Sequence, residues 1–238
     1  MPPPNCRIVE LGTIDYRRAW GLQVGLAQEV HDGKQPNTLL LLEHPHVYTK
    51  GRLSKDEHLL LTPTQLAQQG VDLVETDRGG QITYHGPGQL VAYPVVNLRD
   101  WGGPLKYVRT LEQIIIRSLA SFGIAAGLVE GLTGVWVGER KIAAIGVKIS
   151  RGVAHHGFAI NVNPDLSYFD HIVPCGIADQ QVTSMMEQIS GQQISGDVID
   201  PAAVRYSVAY HFGEGMGFTM VKAAKTCLVA SSPLVGED

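Results

Sequence analysis

The reactive side chains of this 238-residue chain are unevenly placed. Cys175 lies in VPCGI, where Pro174 and Gly176 signal a turn rather than an apolar periodic stretch, so its thiol is the obvious nucleophile. A lone free cysteine also serves commonly as a small buried hydrophobe, a reading that the flanking proline and glycine weaken. The other thiols, Cys6 and Cys227, stand far from it, which leaves neither a disulfide framework nor a paired-cysteine metal site. Two runs contain no carboxylate. One is RGGQITYHGPGQLVAYPVVNL, Arg78 to Leu98, with five glycines and prolines in its first half; the other extends from Arg140 to Pro164 and carries Arg140, Lys141, Lys148 and Arg151. Chemistry by paired carboxylates is therefore not expected within them.

The glycine-rich run invites a phosphate-cradle reading, but Gly86 is followed by Pro87 where a P-loop needs lysine, and the run leads into a strand rather than a helix. Gly79, Gly80, Gly86 and Gly88 serve equally well as turn residues around a strand. His85, inside the run, is a functional candidate. His44 with His46 and His155 with His156 suggest a zinc site, but the spacing matches no strong ligand pattern and no HExxH is present, so no metal is expected.

Elements that would position these residues follow from periodicity. Asp15 caps a helix running to Gly33, and NTLLLLEHP and HVYTKG read as two strands with a break between them. Thr62, Pro63 and Gln65 open a short helix ending at Gly70. QLVAYPVVNL is a strand in which Pro94 has no N–H to donate, which predicts an edge or a bulge. A long helix ends at Gly123, strands follow with turns at Gly138 and Gly152, and Asp200 with Pro201 starts a late helix. The fold class is α/β, a mixed sheet flanked by helices. One catalytic domain is expected over 1–212, with 213–238 a weakly periodic tail.

A net charge of −4 and a pI near 6.1 speak against nucleic acid or anionic membrane as partners. The start, MPPPNCRIVELG, has no signal-peptide pattern, and a cytoplasmic protein is expected.

Four motifs, RGGQITYHGPGQ, RKIAAIG, HHGFAINV and VPCGI, together resemble the lipoyl(octanoyl) transferases, in that family's order and over roughly Asn37 to Glu187. The resemblance implies the biotin and lipoate protein ligase fold, with a larger mixed sheet and a smaller one. It implies transfer of an octanoyl (or lipoyl) group from acyl carrier protein to lipoyl domains, those of 2-oxoacid dehydrogenase complexes and the glycine cleavage H protein, by a monomer without a cofactor. It further gives Cys175 the acyl-thioester position and Lys141 that of the supporting lysine. Acyl binding falls on Arg78, Gly79, Gly80, Gln81, Ile82, Thr83, Tyr84 and His85, on Ala144, Ile145 and Gly146, and on Gly157, Phe158 and Ala159. Thr133 stands before Gly134 where the family pattern has proline. An ATP-dependent ligase of the same fold and a non-catalytic acyl-binding protein are the rivals. Gly79, Gly80 and Gly146 are expected to leave room for the chain, and the basic residues Arg78, Arg99, Lys141, Lys148 and Arg151 to attract an acidic carrier.

Overall fold

The structure is a computed structural model, and it describes residues 2–99, 101–173, 181–190 and 199–228. Cys175 therefore lies outside the described residues.

Four consecutive leucines, Leu39 to Leu42, are nearly inaccessible to solvent, as a strand covered on both faces requires. They belong to β2 (Asn37–Glu43), and alternate residues point opposite ways. Leu39 and Leu41 enter a core with α3 (Pro104–Ala120) and α5 (Pro201–Met216), whereas Leu40 and Leu42 pack on the side of α1 (Tyr16–His31). The seven-stranded sheet has the order β10 (Thr219–Lys222), β1 (Asn5–Thr13), β2, β6 (Gln89–Asn97), β9 (Val153–Asn161), β8 (Arg140–Ser150), β7 (Val135–Val137). It is mixed: β1 runs parallel to β2 and β10, and the remaining ladders are antiparallel. A second sheet has the order β4 (Asp72–Glu75), β3 (Val47–Lys50), β5 (Ile82–His85). It has a small core of its own, with Tyr48, Tyr84, Ile82, Leu66 and Ile172. Leu66 comes from α2 (Pro63–Gln68), whose Thr62–Gln65 capping box forms as the sequence predicts. A short helix, α4 (Met185–Ser190), lies between β9 and α5 in the chain.

Two expectations change. Pro94 lies neither in an edge strand nor at a register shift: β6 lies between β2 and β9, with Pro94 opposite Leu39. The missing N–H is instead accommodated by an interruption of the β6–β9 ladder, which pairs Ala92 with Phe158 and resumes in the same register at Val96 and Ala154. Nor is residue 212 a structural boundary. The late helix continues past Gly213 to Met216, and β10 then adds to the sheet by parallel pairing with β1. The strand β1 was not evident from its pattern, because its burial is irregular rather than alternating. Among the described residues no helix is long and apolar enough to cross a membrane.

Opposite the ladder gap, Gly157 lets β6 approach: a Cβ there would overlap the Ala92 carbonyl and stand 2.6 Å from Pro94 Cδ. Gly157→Ala should lower unfolding free energy by about 3 kcal/mol or abolish folding, as backbone overlap does in a packed core. Gly127→Ala, whose Cβ meets nothing within 4 Å, should change it by less than about 0.5 kcal/mol. Equal urea midpoints for the two variants would contradict this packing.

Candidate active site

The loop between β4 and β5 joins the small sheet to the large one. Gly79 N–H donates to the Val147 carbonyl of β8 at 2.9 Å. The approach is close because Gly146 has no side chain; a Cβ there would stand 3.0 Å from the Gly79 carbonyl oxygen and 3.2 Å from Arg78 Cδ. Arg78 is buried, and its guanidinium donates to the Thr49 carbonyl at 2.6 Å, to Thr49 Oγ1 at 2.9 Å and to the Gly79 carbonyl at 3.0 Å. The space at Gly146 thus goes to the loop rather than to a ligand. Gly80 adopts φ +87°, a conformation that favours glycine. Arg78, enclosed in this way, does not belong to a docking surface.

Between the sheets lies a cavity of about 330 Å³, within the usual range for small-molecule sites. Of the residues that the sequence motifs place at an acyl site, Arg78, Gly80, Gln81, Ile82, Thr83, His85, Ala144, Ile145, Gly146, Gly157, Phe158 and Ala159 line it, together with Lys141. Gly79 and Tyr84 do not. Gly79 holds the loop down, and Tyr84 turns into the small core, where its hydroxyl meets His46 Nδ1 at 2.8 Å and its ring stacks on Tyr168. Cross-strand pairing puts Ala144 opposite Ala159 and Gly146 opposite Gly157, so small residues occupy the middle of the β8–β9 ladder.

Lys141 begins the cavity at the other end of β8. Its backbone is bridged on both sides by the chain that follows Cys175: Lys141 N–H donates to the Gln181 carbonyl at 2.9 Å, and Thr183 N–H donates to the Lys141 carbonyl at 2.9 Å. The ammonium stands 4.7 Å from the centre of the Trp136 ring. Gly134 makes room for its stem, since a Cβ there would lie 3.2 Å from Lys141 Cε.

Several lining residues were not among those that the sequence placed at an acyl site. Tyr16, Gln89, Tyr93, Asn161 and Val182 all reach the cavity. His85 Nδ1 bonds Gln89 Oε1 at 2.6 Å, so that nitrogen carries the hydrogen; Gln89 Nε2 then donates to Asn161 Oδ1 at 2.9 Å, and Asn161 Nδ2 donates to the Thr183 carbonyl at 3.0 Å. This chain of amides connects His85 to the segment clamped on Lys141. A polar residue at the end of a buried apolar strand, as Gln89 is for β6 and Asn161 for β9, was the available hint.

Among the described residues that line the cavity, Arg78 and Lys141 are its arginine and lysine, and buried histidines lie in and behind its wall. Burial pushes His85 down to about 3, and His44, which donates from Nδ1 to the Ile14 carbonyl and accepts from the Tyr93 hydroxyl, down to about 4. His155 is also pushed down to about 4 by burial. The fully buried Cys6 thiol is pushed up to about 12 by burial, which removes it as a competing nucleophile. His46, by contrast, stacks with Tyr168 and is bonded to the Tyr84 hydroxyl.

These histidines bind protons more readily unfolded, near pH 6.5, than folded. Stability should therefore be full above about pH 6.5 and fall as the pH drops toward 4, by about 1.4 kcal/mol per pH unit for each histidine as an upper bound. Urea unfolding at a series of pH values measures the slope, and a flat profile between pH 6.5 and 5 would contradict burial of neutral imidazoles.

The chain matches the family model described as the lipoyl protein ligase A/B catalytic domain over residues 15–208. It is 49% identical over 221 residues to an octanoyltransferase of Solibacter usitatus, covering 92% of this chain and 97% of the relative. Among solved structures, a lipoate-protein ligase A bound with ATP superposes with a TM-score of 0.78 at 17% identity, covering 92% of this chain and 89% of that one. A biotin protein ligase from Aquifex aeolicus, in complex with biotin and ATP, gives 0.53 at 16% identity, over 89% and 70%. These two likenesses establish the fold, a mixed sheet with helices and a smaller sheet, and the relatives establish the lineage: the chain belongs to the octanoyltransferases of the lipoyl protein ligase A/B family.

Proposed function

We propose that the protein moves an octanoyl group from acyl carrier protein onto a lysine of a lipoyl domain through a thioester on Cys175. The observation that carries this reading is the cavity itself. It gathers the motif residues from three separate stretches, and Lys141 at its end is bridged through its backbone to the chain immediately following the VPCGI segment.

The chemistry sets requirements that these residues meet. A free thiol near pKa 8.5 is only a few per cent thiolate at neutral pH, and lowering it by two units takes about 2.7 kcal/mol. An ammonium about 4 Å away supplies about 4 kcal/mol at an effective dielectric of 20, so the Lys141 charge suffices. In the first step the Cys175 thiolate attacks the thioester carbonyl, the carrier thiolate leaves, and it takes up a proton. In the second step the acceptor amine attacks the enzyme thioester, loses a proton, and releases the Cys175 thiolate. The seven carbons beyond the carbonyl contribute about 5 to 6 kcal/mol when buried, at about 0.8 per methylene. Discrimination by length is correspondingly soft, about 1 to 3 kcal/mol per methylene.

No nucleotide is consumed in this scheme, which separates it from the ligases that share the fold. With octanoyl carrier and an apo lipoyl domain, transfer should proceed without ATP, and a hydroxylamine-sensitive octanoyl group should appear on the Cys175 peptide. A strict ATP requirement, or a label on Cys227, would refute the reading. The acceptors are the lipoyl domains of 2-oxoacid dehydrogenase complexes and the H protein of glycine cleavage, and the working unit is a monomer in the cytoplasm.

Lys141→Ala should abolish acylation at neutral pH and move its pH optimum upward, because the Cys175 thiol loses its charge partner. Lys141→Arg keeps the charge but holds its proton, so it should acylate and then transfer poorly to the amine. Wild-type rates in both variants would remove Lys141 from the mechanism.

A further inference from the structure

In a regular strand adjacent side chains point to opposite faces. His155 and His156 do not follow that rule. His156 has φ +56°, a left-handed conformation within β9 that is uncommon outside glycine, and it falls at the ladder gap opposite Pro94. Its N–H is taken by Gln23 Oε1 of α1 at 2.8 Å instead of by a neighbouring strand. The two imidazoles consequently lie side by side, with ring centres 5.0 Å apart and planes 31° apart.

What they converge on is Asp77, at the root of the loop that pins the sheets together. His156 Nε2 is 2.7 Å from Asp77 Oδ1, and Lys148 Nζ is 2.7 Å from Asp77 Oδ2. The hydrogen bond from His156 and the charge of Lys148 hold the Asp77 carboxyl well below the usual carboxylate range. Both ring nitrogens of His155 and Nδ1 of His156 are buried with no hydrogen-bond partner among the described residues, and His155 and His156 are only 5% and 1% exposed. Three orphaned imidazole nitrogens around one carboxylate, reached through a strained backbone, call for an occupant.

We propose that Asp77, His155 and His156 form a binding site for a first-row divalent transition-metal ion. Two imidazoles and a carboxylate are the donor set that suits zinc, iron and cobalt. One ligand atom from each lies within 4.8 Å of the others, slightly wider than the roughly 4.2 Å that two ligands about 2.1 Å from one ion can span. A small side-chain rotation closes the difference. Imidazole binds metal in its neutral form, through a ring nitrogen that carries no proton. Lys148, about a third exposed, sits on Asp77 in the ion-free protein and can swing to solvent. Ammonium and ion thus compete for one carboxylate. Because His156 also lines the cavity, an ion here would hold part of its wall.

Cobalt(II) titration of the full-length protein tests this. One equivalent should bind with a visible spectrum of nitrogen and oxygen ligands lacking thiolate charge transfer, and should raise the melting temperature. His155→Phe and the partly exposed Asp77→Asn should each weaken binding at least 10-fold, whereas Lys148→Ala should tighten it. Circular dichroism establishes that the variants are folded, and Asp77→Asn decides the matter if His155→Phe is not. Absence of binding at millimolar cobalt, a thiolate spectrum lost in Cys175→Ala, or undiminished affinity in folded Asp77→Asn would each overturn the proposal.

Discussion

The small sheet is held on the large one by the short loop from Asp77 to Gly80, and everything at the candidate site depends on how closely that loop can lie on β8. Its backbone is bonded to Val147, its arginine to Thr49 of β3, and its aspartate to Lys148 and His156. Each attachment draws on a different property: a missing Cβ at Gly146, a planar guanidinium able to bridge carbonyls, and a carboxylate with two usable oxygens. Lose the close approach at Gly146 and the sheets part, which opens the cavity to water.

That arrangement also gives one cavity both an apolar lining and two basic side chains. Ala144, Ile145, Phe158 and Ala159 line it, and among the described residues its lysine and arginine side chains are Lys141 and Arg78. Arg78 is committed to carbonyl oxygens of the scaffold, so its task is structural as well as electrostatic. Lys141 is joined through its backbone to Gln181 and Thr183.

Much of this was legible in the sequence because the residues concerned act through local chemistry. The Thr62–Gln65 capping box, the turns at Gly138 and Gly152, and the leucine run of β2 formed where propensity and pattern put them. The acyl-site motifs came together in one cavity apart from Gly79 and Tyr84, whose neighbours in sequence line it while they themselves point elsewhere. What the sequence hid was produced by long-range geometry. Pro94 fits a central strand only because the β6–β9 ladder is interrupted beside it, Gly146 yields its space to a loop 67 residues earlier in the chain, and His156 turns toward His155 only through its left-handed backbone. No periodicity records such events. The amide chain through Gln89 and Asn161 was equally hidden, since its links lie 72 residues apart.

The central claim is that the octanoyl chain of the acyl-enzyme lies in the cavity between the two sheets. It is tested most directly by trapping the enzyme with carbon-13-labelled octanoyl thioester and recording isotope-filtered nuclear Overhauser contacts from the chain. Contacts to the methyl groups of Ala144, Ile145 and Ala159 are predicted, with the strongest from the middle carbons. An acyl chain that contacts none of these methyls, or that contacts only surface residues, would contradict the account.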